Sequence, residues 1–392
     1  MQYHFADCVL DIASHKLFRQ GTEVQIEPQV FDLLHLLAEN AGRLVTKDQL
    51  VDTVWNGRIV SEATISGRIN AARTAVGDTG KDQAVIRTHS RRGFELVAPA
   101  TLNEQPLAAP QAPDMRQTIR YTTSPDGTQI AYATSGEGSP ILRAGHFLTH
   151  LEMDWHNLIW RPYLQAHSLN HTLVRYDQRG SGMSDPDVSK LSLKAYAADL
   201  LAVADAAGLD KFPLLGSSQG VPISIYVAAT YPERVSRMVL YGGAAQGRAL
   251  RDPISKEEAA ALITMVRTGW GKPQSAFMTA FTSLFCPGAS HEELASLVDI
   301  QLASATPENV VEIRRAIDHI DVRQYMPMVK TPTLVIHARN ESLNPVAQGR
   351  LIAGSIPGAE FLEIDSNNHV PLPSDPAWQT IMDAQLAFLG DD

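Results

Sequence analysis

Cysteine is scarce in this chain. Cys8 and Cys286 are the only two in 392 residues, and they fall in different domains. No disulfide framework is implied, and a reduced compartment suits the chain. Long apolar runs are also missing: no segment carries the roughly 18 uninterrupted apolar residues of a membrane-crossing helix. The N-terminus has no basic start followed by an apolar stretch, so a cytoplasmic protein with no membrane partner is expected. Basic charge is in short supply, with 33 Lys and Arg against 43 Asp and Glu and a net charge of −10. That excludes a chain that coats nucleic acid or anionic lipid indiscriminately, but it leaves room for a local basic face. His150, His156, His167 and His171 lack metal-ligand spacing with any partner, so neither a metal nor a cofactor is expected. What is plentiful is core-forming material, at 44% hydrophobic and 19% charged residues. A chain of this length suggests two domains.

The first hundred residues open with short strand-like runs at 3–5, 9–12, 16–18 and 23–26, separated by turn-prone pieces such as Gln20-Gly21. Pro28 then starts a helix whose apolar stripe is Val30, Phe31, Leu33, Leu34, Leu37 and Ala38, ended by Gly42. Thr46 with Gln49 three residues on makes a capping box for a second helix. A third helix is expected from about Glu62 to Val76, with Ile65, Ile69, Ala72 and Val76 facing inward. Residues 85–88 and 94–97 read as a hairpin.

Sheet, three helices and hairpin are the order of a winged helix. The segments Phe31-Asp32-Leu33-Leu34, Asn40-Ala41-Gly42-Arg43-Leu44-Val45, Val54-Trp55 and Ile86-Arg87-Thr88…Arg92-Gly93-Phe94 resemble the OmpR-type DNA-binding domain found in response regulators and CadC-like regulators. The resemblance implies that the third helix enters the major groove and the hairpin reaches the flanking backbone or minor groove. Residues 1–98 hold 11 basic and 12 acidic side chains, yet Arg58 to Arg92 holds seven basic against three acidic, so the positive field sits on that half. Arg68 and Asn70 are candidates for base edges, and Arg73, Arg91 and Arg92 for phosphates. Thr64, Ser66 and Arg87 complete the expected DNA-binding set. The expected domain is 1–98. Residues 99–115 follow as a Pro/Ala-rich linker without strand or helix periodicity, in which the prolines make a semi-extended spacer.

From Ile119 strands alternate with helices, and strands that are mostly apolar throughout imply a parallel sheet covered on both faces. Leu214-Leu215 leads into Gly216-Ser217-Ser218-Gln219-Gly220, a buried strand turning sharply at a Gly-x-Ser-x-Gly into a small-residue helix. That turn holds Ser218 above the end of the strand with its hydroxyl free. By itself the pattern is common. Asp177-Gln178-Arg179-Gly180-Ser181-Gly182-Met183-Ser184 before it and Tyr231-Pro232-Glu233-Arg234-Val235-Ser236 after it make residues 116–392 resemble the α/β-hydrolase fold. An N-terminal winged helix (α+β) followed by an α/β domain with a helical lid at about 244–329 is therefore the expected architecture.

The resemblance implies a serine triad in the order Ser, acid, His: Ser218, Glu341 and His369. Related sequences usually carry Asp four residues after the histidine of His337-Ala338-Arg339-Asn340, where this chain has Glu341, with Asp365 as a fallback acid. Oxyanion donors would be the N–H of Gln219 and one from the turn containing His146 and Phe147. Trp270, Phe277, Phe281, Leu284 and Phe285, with Phe147, Met153 and Trp155, are the expected apolar lining of a ligand pocket. The combination reads as a one-component transcriptional regulator, expected to act on promoter DNA as a homodimer. It would sense a small apolar ester-, lactone- or amide-like ligand, with possible residual hydrolysis. The alternative is an active serine esterase or lactonase with an accessory DNA-binding domain.

Overall fold

The computed structural model describes residues 2–12, 16–55, 58, 60–90, 92–103, 115–187, 189–271 and 275–390. The chain divides into two compact units, Met1–Asp114 and Met115–Asp392.

In the first unit β1 (Gln2–Phe5), β2 (Cys8–Asp11), β3 (Lys16–Arg19) and β4 (Thr22–Val24) form an antiparallel meander. The helices are α1 (Pro28–Glu39), α2 (Lys47–Val54) and α3 (Glu62–Ala75), with β5 (Val45–Thr46) before α2. Each helix is started by its own sequence: Pro28 occupies the first turn of α1, Thr46 and Gln49 form the capping box of α2, and the Ser61 hydroxyl accepts from the Thr64 N–H on α3. β6 (Ile86–His89) and β7 (Gly93–Leu96) make the hairpin, with β5 beside β7. Tyr3, Phe5, Leu10, Leu17, Leu33, Leu34, Ile69 and Leu96 meet in one core.

Two local features depart from the sequence reading. Ala100–Asn103, expected to be linker, is strand β8 and pairs antiparallel with β1, so the five-stranded order is β4-β3-β2-β1-β8. The pairing edge of β1 decides this, because the segment's own residues carry little alternation. The remainder of the expected linker, residues 104–114, lies outside the described residues. Beyond α3, Asp78 clasps the hairpin to the helix: its two carboxylate oxygens accept from the backbone N–H groups of Thr79, Ala84, Val85 and Ile86 at 2.8–2.9 Å.

The second unit begins with the hairpin β9 (Gln117–Thr123) and β10 (Gln129–Ser135), then β11 (Ser139–Arg143). After α4 (Leu151–His156) and α5 (Trp160–Ser168) come β12 (His171–Tyr176), α6 (Leu193–Ala206), β13 (Phe212–Ser217), α7 (Gly220–Thr230) and β14 (Val235–Tyr241). Four helices follow, α8 (Pro253–Gly269), α9 (Ala276–Ser283), α10 (His291–Ser304) and α11 (Pro307–Asp318), before β15 (Thr333–Ala338), α12 (Val346–Ser355), β16 (Glu360–Ile364) and α13 (Trp378–Gly390). The strand order is β16-β15-β14-β13-β11-β12-β10-β9, antiparallel at the β9–β10–β12 edge and parallel elsewhere.

Successive strand residues feed opposite faces, as a pleated strand requires. Leu142, Val174, Leu214, Leu240 and Val335 pack with α6, α7 and α12, whereas Ile141, Leu173, Leu215, Val239 and Ile336 pack with α5 and α13. This two-sided burial explains why the strands read as continuous apolar runs. The inserted helices form their own core around Val266, Trp270, Met278, Phe281 and Val310. In sequence the insertion shows helical patterns at 256–268, 275–284 and 308–317, and α10 adds a helix to these. Its signal was present: Ser290 and Glu293 form a full capping box.

Candidate active site and DNA-binding surface

Ser218 stands between β13 and α7 with φ +51°, a left-handed conformation that a non-glycine residue adopts only under constraint. The turn survives because its flanks have no side chains. A Cβ on Gly216 would lie 2.5 Å from the Ser224 hydroxyl and 2.9 Å from the Gly220 carbonyl. The strain holds the Ser218 hydroxyl where His369 Nε2 meets it at 2.8 Å. His369 Nδ1 in turn contacts Glu341 Oε2 at 2.7 Å. Glu341 reaches that point because its longer side chain is held at both oxygens: Oε1 accepts from His337 Nε2 at 3.0 Å and from the Asn344 N–H at 3.1 Å. Burial opposes ionisation of Glu341, yet the charge of His369 and the bonds from both histidines outweigh it and hold the carboxyl well below its usual range. Asp365 points away, four-fifths exposed and paired with Arg339.

His337, which supports Glu341, was not singled out by sequence reasoning. It is the penultimate residue of the largely apolar β15 and is fully buried, and a buried imidazole near the end of such a strand needs an acidic or carbonyl partner. The Asp177-Gln178-Arg179 motif has a corresponding structural account. Asp177 Oδ2 accepts from the N–H groups of Leu151 and Met183, and buried Arg179 pairs with Asp199 and Asp126. Between them, Gln178 donates to the Gly145 carbonyl at 2.6 Å and accepts from the Gln219 side chain at 2.7 Å. The turn after β11 is thereby braced against the turn after β13. Among the described residues, no protein carbonyl engages the backbone N–H of Gln219, His146 or Phe147.

Two cavities open on either side of Ser218 and His369. The first is lined by His146, Phe147, Leu148, Trp160, Tyr163, Tyr241, Phe285, Leu297 and Ile300 with the Ser218 and His369 side chains. Burial, with the charges of Arg143 and His369 adding to it, pushes the His146 imidazole well below its usual pKa and so keeps it neutral. Of the expected lining residues only Phe147 and Phe285 belong to this cavity. Trp270, Phe277 and Phe281 pack among the inserted helices, Trp155 lies in the core beside Ile141, Met153 packs against that core, and Leu284 borders a separate surface hollow. Aromatic residues in an insertion must first hold its helices together, and at this site that demand took most of them. The second cavity is lined by Arg248, Arg251, Arg314 and Asp318 and shares Phe147, Phe285, Ser218 and His369.

On the DNA-binding unit, Thr64, Ser66 and Asn70 are exposed along α3, and Arg87 and Arg92 are exposed on the hairpin. Arg68 is partly buried, pairing with Glu27 at 2.7 Å and donating to Gln29 at 3.1 Å. Arg91 lies outside the described residues. Arg73, expected on a phosphate, is buried instead: its guanidinium donates to the Ile86 carbonyl and the Thr88 hydroxyl and ties α3 to the hairpin. Its spacing already placed it on the inner face, one turn beyond Ile69.

A family description of the alpha/beta hydrolase fold matches residues 147–376. The chain belongs to the α/β-hydrolase fold family. The description "Transcriptional regulatory protein, C terminal" matches residues 21–96, and this first domain is an OmpR-type winged helix. The α/β-hydrolase domain is 26% identical over 249 residues to pyrrolizixenacetamide deacetylase of Xenorhabdus hominickii, covering 63% of this chain and 91% of that protein. The N-terminal part is similar to the transcriptional activator CadC of Escherichia coli, 29% identical over 136 residues, which is 32% of this chain and 26% of CadC. Among solved structures, a hydrolase from Pseudomonas aeruginosa PA01 superposes with a TM-score of 0.59 at 24% identity, covering 70% of this chain and 99% of that one. That likeness speaks for the fold. Among the described residues, no helix is long and apolar enough to cross a membrane.

Proposed function

We propose that this chain is a DNA-binding regulator whose α/β-hydrolase domain takes up a small, largely apolar ester, lactone or amide and retains the means to hydrolyse it. The observation that carries the reading is the unbroken hydrogen-bonded series Ser218–His369–Glu341, at 2.8 and 2.7 Å, beside an apolar cavity. In this reading His369 takes the Ser218 proton as the hydroxyl attacks the acyl carbon, and Glu341 holds the ring in the required tautomer. The unengaged N–H groups of Gln219 and the His146–Phe147 turn receive the developing oxyanion. His369 then returns the proton to the leaving group, and a water molecule repeats the sequence to free Ser218.

The winged helix gives this chemistry an output. Occupancy of the hydrolase site would shift the population of the DNA-binding form, and turnover would end the signal. A homodimer suits the modest basic charge of α3, since two recognition helices together supply affinity that one lacks.

The test pairs two assays on the full chain: gel retardation of the DNA upstream of its own coding sequence, and release of 4-nitrophenol from 4-nitrophenyl butyrate. Sequence-specific retardation together with turnover abolished by Ser218→Ala is the expected result. Turnover without specific DNA binding would sink the regulator half and leave a serine esterase with an accessory domain. Specific retardation with no serine-dependent turnover would sink the hydrolytic half.

A further inference from the structure

The second cavity has a chemistry that an apolar ligand leaves unused. Arg248 and Arg251 rise from the segment between β14 and α8, and Arg314 comes from α11. Arg314 is committed to Asp318, which accepts two of its N–H groups, at 2.7 and 3.3 Å. The other two are different. Arg248 donates to the Leu343 carbonyl, and Arg251 donates to the Gln246 carbonyl and the Asn344 side chain, all neutral acceptors. Among the described residues neither forms an ion pair, although both are half-buried.

Two of the three carboxylates near them are already engaged. Asp318 is taken by Arg314. Glu341 is bound to His369 and His337. Glu258 lies on the far side, where the same two arginines border a surface hollow. Burial pushes both guanidinium groups down in pKa, Arg251 to about 10, with the charge of Arg314 adding to it at Arg248 and the charges of Arg248 and Arg314 at Arg251. Half-buried cations with spare donors and no carboxylate of their own are costly to keep in this arrangement unless an anion visits. A guanidinium offers a planar fork of donors that matches a carboxylate at both oxygens.

We infer that this cavity is a carboxylate-binding subsite, so that the ligand carries an acidic group toward Arg248 and Arg251 and its apolar part in the aromatic cavity across Ser218. This deepens the proposed function, on which it rests for the site but not for the chemistry.

Binding can be measured without turnover. Calorimetric titration of full-length Ser218→Ala protein with 4-phenylbutyrate and with its neutral counterpart 4-phenylbutyramide compares one apolar body with and without charge. The acid should bind roughly tenfold or more tightly than the amide, as expected for charge-assisted hydrogen bonds. In Arg248→Gln/Arg251→Gln protein the difference should collapse to about twofold or less, and Arg251→Lys, which keeps the charge, should retain part of it. Equal binding of the two compounds, binding of neither, or a preference for the acid that survives the double substitution overturns the inference. A preference for the acid in protein whose wild type shows no serine-dependent turnover of 4-nitrophenyl butyrate would uphold this subsite and sink the hydrolytic reading alone.

Discussion

Replacing Glu341 by aspartate restores the residue that related sequences usually carry, and it should damage the site. The carboxylate would retreat by one carbon–carbon bond, about 1.5 Å. In the present structure Oε2 lies 2.7 Å from His369 Nδ1 while Oε1 holds His337 Nε2 and the Asn344 N–H. No single rotation of a shorter side chain recovers all three contacts. A displacement of about 1 Å in a catalytic group costs on the order of 100-fold in rate, so Glu341→Asp should lower kcat/KM by roughly 10²- to 10³-fold. The loosened N–H of Asn344 should cost about 1–3 kcal/mol of stability, His337 being partly compensated by the Asn344 carbonyl at 2.9 Å. Glu341→Gln keeps the length but removes the charge, and a loss approaching 10⁴-fold is expected from the misdirected imidazole. Initial rates of 4-nitrophenyl butyrate hydrolysis, measured beside Ser218→Ala as the zero, give the comparison. An aspartate variant as fast as wild type would show that the loop does not depend on the longer side chain, and the argument from these three contacts would fail.

Asp78→Asn should destabilise the winged helix by roughly 3–5 kcal/mol in a denaturant titration, because an amide offers one oxygen to donors that now share two charged ones. Burial disfavours ionised Asp78, but its four N–H donors outweigh that and hold its pKa below the ordinary value. The stabilisation is therefore complete above about pH 4 and is lost as pH falls through the folded value, by at most about 1.4 kcal/mol per pH unit, a dependence the amide variant should lack. Asn70→Ala and Arg73→Gln should behave oppositely: the first weakens specific retardation without moving the melting temperature, whereas the second lowers the melting temperature by unhooking α3 from the hairpin. Gln178→Leu should reduce kcat more than it raises KM in the ester assay, since Gln178 braces the oxyanion turn and reaches substrate through no contact of its own.

Much of this arrangement could be read from residue order. The apolar stripes of α1, α2 and α3, the capping box at Thr46 and the strand–turn–helix at Ser218 each follow from local chemistry, and local chemistry is what a sequence displays. Contacts between distant segments were harder to see. β8 exists because β1 offers it an edge, and nothing within Ala100–Asn103 announces that partner. The aromatic residues of the insertion could have lined a cavity or filled a core, and only the packing of α8 and α9 separates Trp270 and Phe281 from Phe285. Arg73 was misread for a different reason. Its charge suggests a phosphate contact, whereas its helical phase sets it on one face with Ile65 and Ile69. Helix α10, with Leu297 and Ile300 in the cavity wall, carried a clear start signal that its mixed periodicity obscured.

Phe285 joins two parts of the α/β-hydrolase domain that could otherwise move separately. Its carbonyl accepts from the N–H groups of both His369 and Val370, at 2.8 and 3.0 Å, while its ring stacks on Phe147 and meets the His369 imidazole edge-on. Phe285 also lines both cavities, so a guest in either one meets the residue that holds the histidine loop. Under the proposed function, a guest that shifted Phe285 would loosen the two hydrogen bonds that hold His369 and Val370.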